Sequence, residues 1–185
     1  FKGSLIGVPG LFKAWRKGNV GILNAPGTGI ADDKAIYSYV DKMIVYYLGE
    51  QPKIQQVETL LCSEKIHREH VIENISKFVV KPTNGSGGNG ILIGPHASKK
   101  NREEMKKNIL KNPRNYIAQP LEILSTTPTI TDNSIEPRHL DLRPFVLSGK
   151  STWVTTGGLT RVALKKGSTI VNSSQGGGSK DTMII

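Results

Sequence analysis

The stretch 79–90, Val-Val-Lys-Pro-Thr-Asn-Gly-Ser-Gly-Gly-Asn-Gly, restricts this chain more than any other segment. Val79-Val80 before the glycines and Ile91-Leu92-Ile93 after them are short and β-prone, and Gly94-Pro95 closes the second run. The glycines therefore join two strands as a flap. Such a flap lets the backbone come close to phosphate oxygens and aim N–H groups at them. Lys81, on the entering strand, adds a fixed positive charge. Gly85, Gly87 and Gly90 also satisfy G-x-G-x-x-G, but a dinucleotide-binding unit needs a helix directly after that pattern. In protein kinases the flap precedes the lysine-bearing strand, the reverse of the order here. The segment Gly176-Gly177-Gly178-Ser179-Lys180-Asp181 is not a P-loop, since no glycine directly precedes the lysine and no Ser or Thr follows it. The bland alternative is a loose hairpin tip, for which a strand-borne lysine beside four glycines is a wasteful construction.

Around this flap the chain changes character once. Val8 to Trp15 suggests a short helix, and Val20-Gly21-Ile22-Leu23 a buried strand ending in the turn 24–29. Asp32 or Asp33 caps a helix whose apolar residues, from Ala35 to Tyr47, recur three and four apart until Gly49 and Pro52 stop it. A strand near Thr59-Leu60-Leu61 and a helix across Arg68 to Ile75 lead into Phe78 to Lys81. After the flap come a basic amphipathic helix ended by Pro113 and a strand, Tyr116 to Gln119. Beyond Pro120 short β-prone runs replace helical periodicity: 128–130, Leu140 to Leu147, Trp153-Val154 and Leu159 to Leu164. The expectation is an α+β architecture, two lobes with a ligand cleft between them. Its divisions are a lead-in region 1–57, a small lobe 58–119 carrying the flap, and a strand-rich part of a large lobe, 120–185.

Charge narrows the partners without deciding them. The 185 residues carry a net charge of +10, which favours a negatively charged ligand. The segment 99–114, which holds the basic helix, gathers Lys99, Lys100, Arg102, Lys106, Lys107, Lys111 and Arg114 against Glu103 and Glu104. Most simply this is a solvated face. Nucleic-acid binding is the other reading, but no aromatics interleave with the charges as single-strand stacking requires. No apolar run approaches membrane-spanning length. The single cysteine, Cys62, rules out an intrachain disulfide framework and fits a reducing, cytoplasmic setting. Zinc at Cys62, His67 and His70 lacks an evident fourth ligand, and His139 reads as a hydrogen-bonded structural residue. The chain opens on Phe1 and not on methionine, so the expectation is a piece of a longer polypeptide.

The order lysine on a strand, glycine flap, basic helix, strand ending in Gln-Pro resembles the ATP-grasp fold, and further matches run from about Asn24 to Asp181. Asp33-Lys34 resembles the opening of the helix with the first ATP lysine, and Val80-Lys81-Pro82 the second. The segment 116–120, Tyr-Ile-Ala-Gln-Pro, resembles the interlobe hinge that receives adenine. Asp141-Leu142-Arg143 is similar to the strand with a nucleotide-contacting aspartate and an arginine. Gly158-Leu159-Thr160-Arg161 with the segment 171–178 is similar to the part facing triphosphate and acceptor. The wording of 24–34 is similar to the circularly permuted, type 2 branch related to glutathionylspermidine synthase.

That resemblance implies an ATP-dependent carboxylate–amine ligase using ATP and Mg2+. The γ-phosphoryl group passes to a small-molecule or peptide carboxylate, and an amine attacks the resulting acyl phosphate. Lys34 and Lys81 would grip the α and β phosphates, and Ser86, Gly87 and Gly88 would cover the β and γ phosphates. Gln119 belongs to the adenine hinge, where Pro120 C=O would accept from the adenine amino group and Leu121 N–H would donate to the ring. Arg161, Arg143 and Asn172 would serve the reacting end. Asp141 would serve the nucleotide or its metal. The family's principal Glu-x-Asn magnesium ligands have no match here, which implies that they lie upstream in the same polypeptide and that this piece alone is inactive. Bland roles stand beside each of these. Lys34 fits a solvated first helical turn, Asp141 and Arg143 can pair on one strand face, and Asn172 fits a turn. A nucleotide-binding module without catalysis and a basic nucleic-acid-binding domain are the alternative functions.

Overall fold

The computed structural model describes residues 7–85, 87–131, 134–169, 171 and 177–183. The chain forms two units, Phe1–Ile54 and Gln55–Ile185.

The described residues of the first unit hold three short α-helices, α1 (Leu11–Arg16), α2 (Lys34–Tyr37) and α3 (Val40–Leu48), and a 3-10 turn at Thr28–Asp32. Asp33 caps α2 by accepting from the Ala35 N–H at 2.9 Å. Gly49, left-handed at φ 65°, terminates α3. Two expectations fail here. Val20–Leu23 is not a strand, and Leu23 is fully exposed. No strand lies among the described residues of this unit, so its backbone has no ladder to join. The single helix expected after Asp33 is broken at Ser38-Tyr39. The Ser38 hydroxyl donates to Ala35 C=O at 2.8 Å, and Tyr39 N–H turns back to Ile36 C=O, three residues before it. Serine competing for a helix carbonyl in this way interrupts the ladder.

The second unit contains two antiparallel sheets. The first has the order β1 (Leu60–Leu61), β4 (Tyr116–Pro120), β2 (Phe78–Pro82), β3 (Leu92–Ile93). Successive side chains of a strand point to opposite faces. Leu60, Phe78, Val80, Leu92 and Ala118 share one face and form a core with Val71 and Ile75 and with Ile109. Val71 lies in α4 (Lys65–Glu73) and Ile109 in α5 (Lys99–Lys111). The helices therefore cover one face of this sheet. α5 is the basic helix, capped by the Ser98 hydroxyl accepting from Asn101 N–H. It turns Ile109 and Met105 inward, and Lys106 pairs with Glu103 at 3.0 Å.

The second sheet is a meander, β5 (Thr126–Ile130), β6 (Ile135–Ser148), β7 (Thr152–Val162) and β8 (Gly178–Met183). The two β-prone runs at Trp153 and Leu159 belong to one strand, β7. The glycines between them look like a break in the sequence. In the sheet, a Cβ on Gly157 would lie 2.6 Å from Thr182 C=O and one on Gly158 2.7 Å from Arg143 C=O. They are close-approach residues inside a strand. Arg138, nearly buried, donates to Leu164 C=O at 2.9 Å and to Glu136 at 2.7 Å, fastening the chain beyond β7 to β6.

Candidate functional site

Because Val80 and Phe78 fill the helix-covered core, Val79 and Lys81 point to the other face of the first sheet. Val79 lies opposite Gln119 and Lys81 opposite Ile117 in the β2–β4 ladder, so Lys81 and Gln119 are diagonal neighbours on that face. The Lys81 ammonium donates to Gln119 Oε1 at 2.6 Å. Gln119 Nε2 donates to Thr59 Oγ1 at 2.7 Å, and Thr59 in turn donates to Val57 C=O at 3.0 Å. Gln119 is 8% exposed, and a buried amide needs such partners. Thr59 was not singled out by sequence, since nothing in its spacing signals a partner sixty residues away.

The glycine flap leaves β2 directly after Lys81-Pro82. Gly85 and Gly90 fold back onto Pro82, where Cβ atoms would lie 3.3 and 2.9 Å from its ring. Gly87 and Gly88 at the tip are left-handed (φ 65° and 83°) and exposed, and a Cβ built on Gly87 would meet nothing within 4 Å. Backbone of this kind suits close approach of a ligand. Ser86 lies outside the described residues, as does Asn172. Pro120 ends β4 opposite Phe78, and Leu121 follows it, both half-buried. Lys34 is the first residue of α2, half-buried, in the other unit.

A second cluster sits on the meander. Asp141 of β6 lies directly opposite Arg161 of β7. Arg161 Nε donates to Oδ1 at 3.0 Å and its Nη2 to Oδ2 at 2.5 Å, a two-pronged pair. Arg143, two residues along the same face, brings its Nε within 3.7 Å of Oδ2. The Arg161 hydrogen bond holds the Asp141 carboxyl below its ordinary value. Its burial opposes this, and the charges of Arg161 and Arg143 add to it. Asp141 in turn raises the Arg161 guanidinium. The opposite face of this sheet, with Thr127, Leu140, Leu142, Thr160 and Lys180, lines a cavity of about 290 Å3. Lys180 reaches from it to donate to Pro128 C=O. Burial pushes the lone Cys62 thiol up to about 11, an inert core position. Among the described residues no three His, Cys, Asp or Glu side chains gather as a metal site.

Comparison with known proteins identifies the family. Circularly permuted ATP-grasp type 2 matches residues 2–163. An uncharacterized protein of Synechocystis sp. is 53% identical over 183 residues, 98% of this chain and 38% of its own length. An uncharacterized protein of Mycobacterium tuberculosis is 50% identical over 183 residues, again 98% of this chain, and 33% of its own length. A protein of Frankia casuarinae named "Putative glutamate--cysteine ligase 2-2" is 50% identical over 182 residues, 98% of this chain and 21% of its own length. The chain thus spans well under half the length of these relatives. It belongs to the circularly permuted ATP-grasp type 2 family.

Proposed function

We propose that this chain is the ATP-binding core of an ATP-dependent carboxylate–amine ligase that works through an acyl phosphate. The observation that supports this best is the placement of Lys81. Its ammonium is held on the face of the sheet away from the helices, where β2 runs into a flap with an exposed, left-handed tip at Gly87-Gly88. Family membership makes a nucleotide the natural ligand for that arrangement.

In this reading Lys81 grips the α and β phosphates, and the backbone of the flap, with Ser86, covers the outer phosphates. Pro120 C=O and Leu121 N–H read adenine in a cleft between the lobe 58–119 and the strand-rich part 120–185. Arg161 and Arg143 serve the transferring group, Asn172 the acceptor. Asp141 fixes Arg161 so that its guanidinium meets the phosphoryl oxygens in one orientation. Phosphoryl transfer needs such positioning and charge neutralisation more than covalent help from the protein.

Mg2+ does not find a ligand set among the described residues. Magnesium takes one or two carboxylates with phosphate oxygens and water, and Asp141, the carboxylate named for it, already accepts from Arg161 with both oxygens. The carboxylates that hold the metal are assigned to the rest of the longer polypeptide, and no step here is routed through it. The setting is taken to be cytoplasmic. No helix among the described residues is long and apolar enough to cross a membrane.

The test is ADP release by the full-length protein with ATP, Mg2+ and a panel of carboxylates and amines. Glutamate with cysteine is included because of the Frankia relatives' names, and polyamines because the wording of 24–34 resembles the branch related to glutathionylspermidine synthase. Turnover that depends on one carboxylate and one amine supports the ligase. ATP binding with no turnover on any pair would instead favour a nucleotide-binding module without catalysis. That second reading draws on the occupied Asp141.

A further inference from the structure

The Lys81–Gln119–Thr59 chain runs in one direction only. An ammonium has three donors and no acceptor, so the amide oxygen of Gln119 must face Lys81. The amide NH2 must then face Thr59, whose oxygen accepts at 2.7 Å. The Thr59 proton is left for Val57 C=O, at 3.0 Å. Each group fixes the next. Turning the Gln119 amide over would set its NH2 against the ammonium and its oxygen against a hydroxyl committed elsewhere. At 8% exposure Gln119 cannot easily replace these partners with water.

We propose that Thr59 and Gln119 are positioning residues for Lys81, and that the Gln119 side chain serves the phosphates and not the base. This rests on the reading of Lys81 as a phosphate-binding lysine. Adenine is then read by the backbone of Pro120 and Leu121 alone. The relay orients a cation whose four-carbon stem would otherwise sample many rotamers, and so lowers the entropy lost when a phosphate binds.

Removing the Thr59 hydroxyl with little change of shape isolates the relay. Thr59→Val should weaken ATP by about fivefold, the value of one hydrogen bond, and should weaken inorganic tripolyphosphate by a similar factor. Its affinity for adenosine should not change. Thr59→Ser, which keeps the hydroxyl, should restore ATP binding. A valine variant that binds ATP and tripolyphosphate as the parent does overturns the relay. So does one that loses adenosine affinity, because Gln119 would then be reading the base. Should Thr59→Val unfold, the Ser variant carries the test together with Gln119→Met, which keeps the length of the side chain and removes both polar ends. Loss of adenosine affinity in Gln119→Met, or unchanged tripolyphosphate affinity, overturns the proposal equally. Lys81→Ala separates the two levels. If it leaves tripolyphosphate affinity unchanged, the phosphate reading of Lys81 itself fails. If it lowers that affinity while Thr59→Val does not, only the relay fails.

Discussion

The Asp141–Arg161 pair can be weighed without any ligand, and its weight decides how far Asp141 is a structural residue. The two side chains are 28% and 13% exposed, between the limits for which magnitudes are known. Fully exposed ion pairs contribute about 0–1 kcal/mol, whereas breaking a buried pair costs about 3–5 kcal/mol. Two hydrogen bonds and a covered guanidinium place Asp141→Ala in between, at about 2 kcal/mol of lost stability. Part of that is the uncompensated charge of Arg161, now facing Arg143. A double-mutant cycle with Arg161→Met removes this part and should return a coupling of about 1–2 kcal/mol. Urea unfolding of the four proteins at pH 7 measures it. The sign with pH follows from the lowered Asp141 value. A carboxylate whose folded pKa lies below its unfolded value stabilises fully above about pH 4, and that contribution is lost as pH falls through the folded value. The coupling should therefore fade in acid. A coupling below about 0.3 kcal/mol at pH 7, within the error of additive sites, would mean that the pair stores no stability and that the geometry argument is wrong.

Other outcomes follow from the same structure. Gly94→Ala should destabilise the protein by about 3 kcal/mol or more, because a Cβ there would lie 1.9 Å from Ile75 C=O; an unchanged unfolding midpoint contradicts that packing. Lys106→Gln with Lys107→Gln should leave ATP affinity nearly unchanged, since α5 packs on the covered face of the sheet and Lys106 pairs with Glu103. A tenfold loss in calorimetry would put the basic helix at the nucleotide.

How much was legible depends on whether the signal was local. The short β-prone runs Phe78–Lys81 and Tyr116–Gln119 and the Gly49 stop are written in neighbouring residues, and these elements form where expected. Val20–Leu23 carries the same apolar signal as a true strand and fails because pairing, not propensity, makes a strand. Register is likewise invisible in one chain. Asp141 beside Arg143 could be read from a spacing of two, but its stronger partner Arg161 is twenty residues away on the next strand. Gln119 comes to the hinge through the resemblance of the segment 116–120 to that part of the ATP-grasp fold. That its side chain meets Lys81, thirty-eight residues earlier, and Thr59 depends on which strands lie together. The glycines of the flap were visible, whereas Gly157 and Gly158 read as a break because close strand approach leaves no local mark.

In the proposed function the face carrying Lys81 binds ATP through its phosphates. Isothermal titration of ATP with Mg2+ into the parent protein and into Lys81→Ala tests it most directly. The parent should bind measurably. The variant should lose about 1.5–3 kcal/mol, the range for a hydrogen bond to a charged group, with an unchanged far-ultraviolet circular dichroism spectrum. Equal affinity in the two proteins would refute the assignment of Lys81, because a nucleotide bound without Lys81 would have to lie elsewhere on the chain.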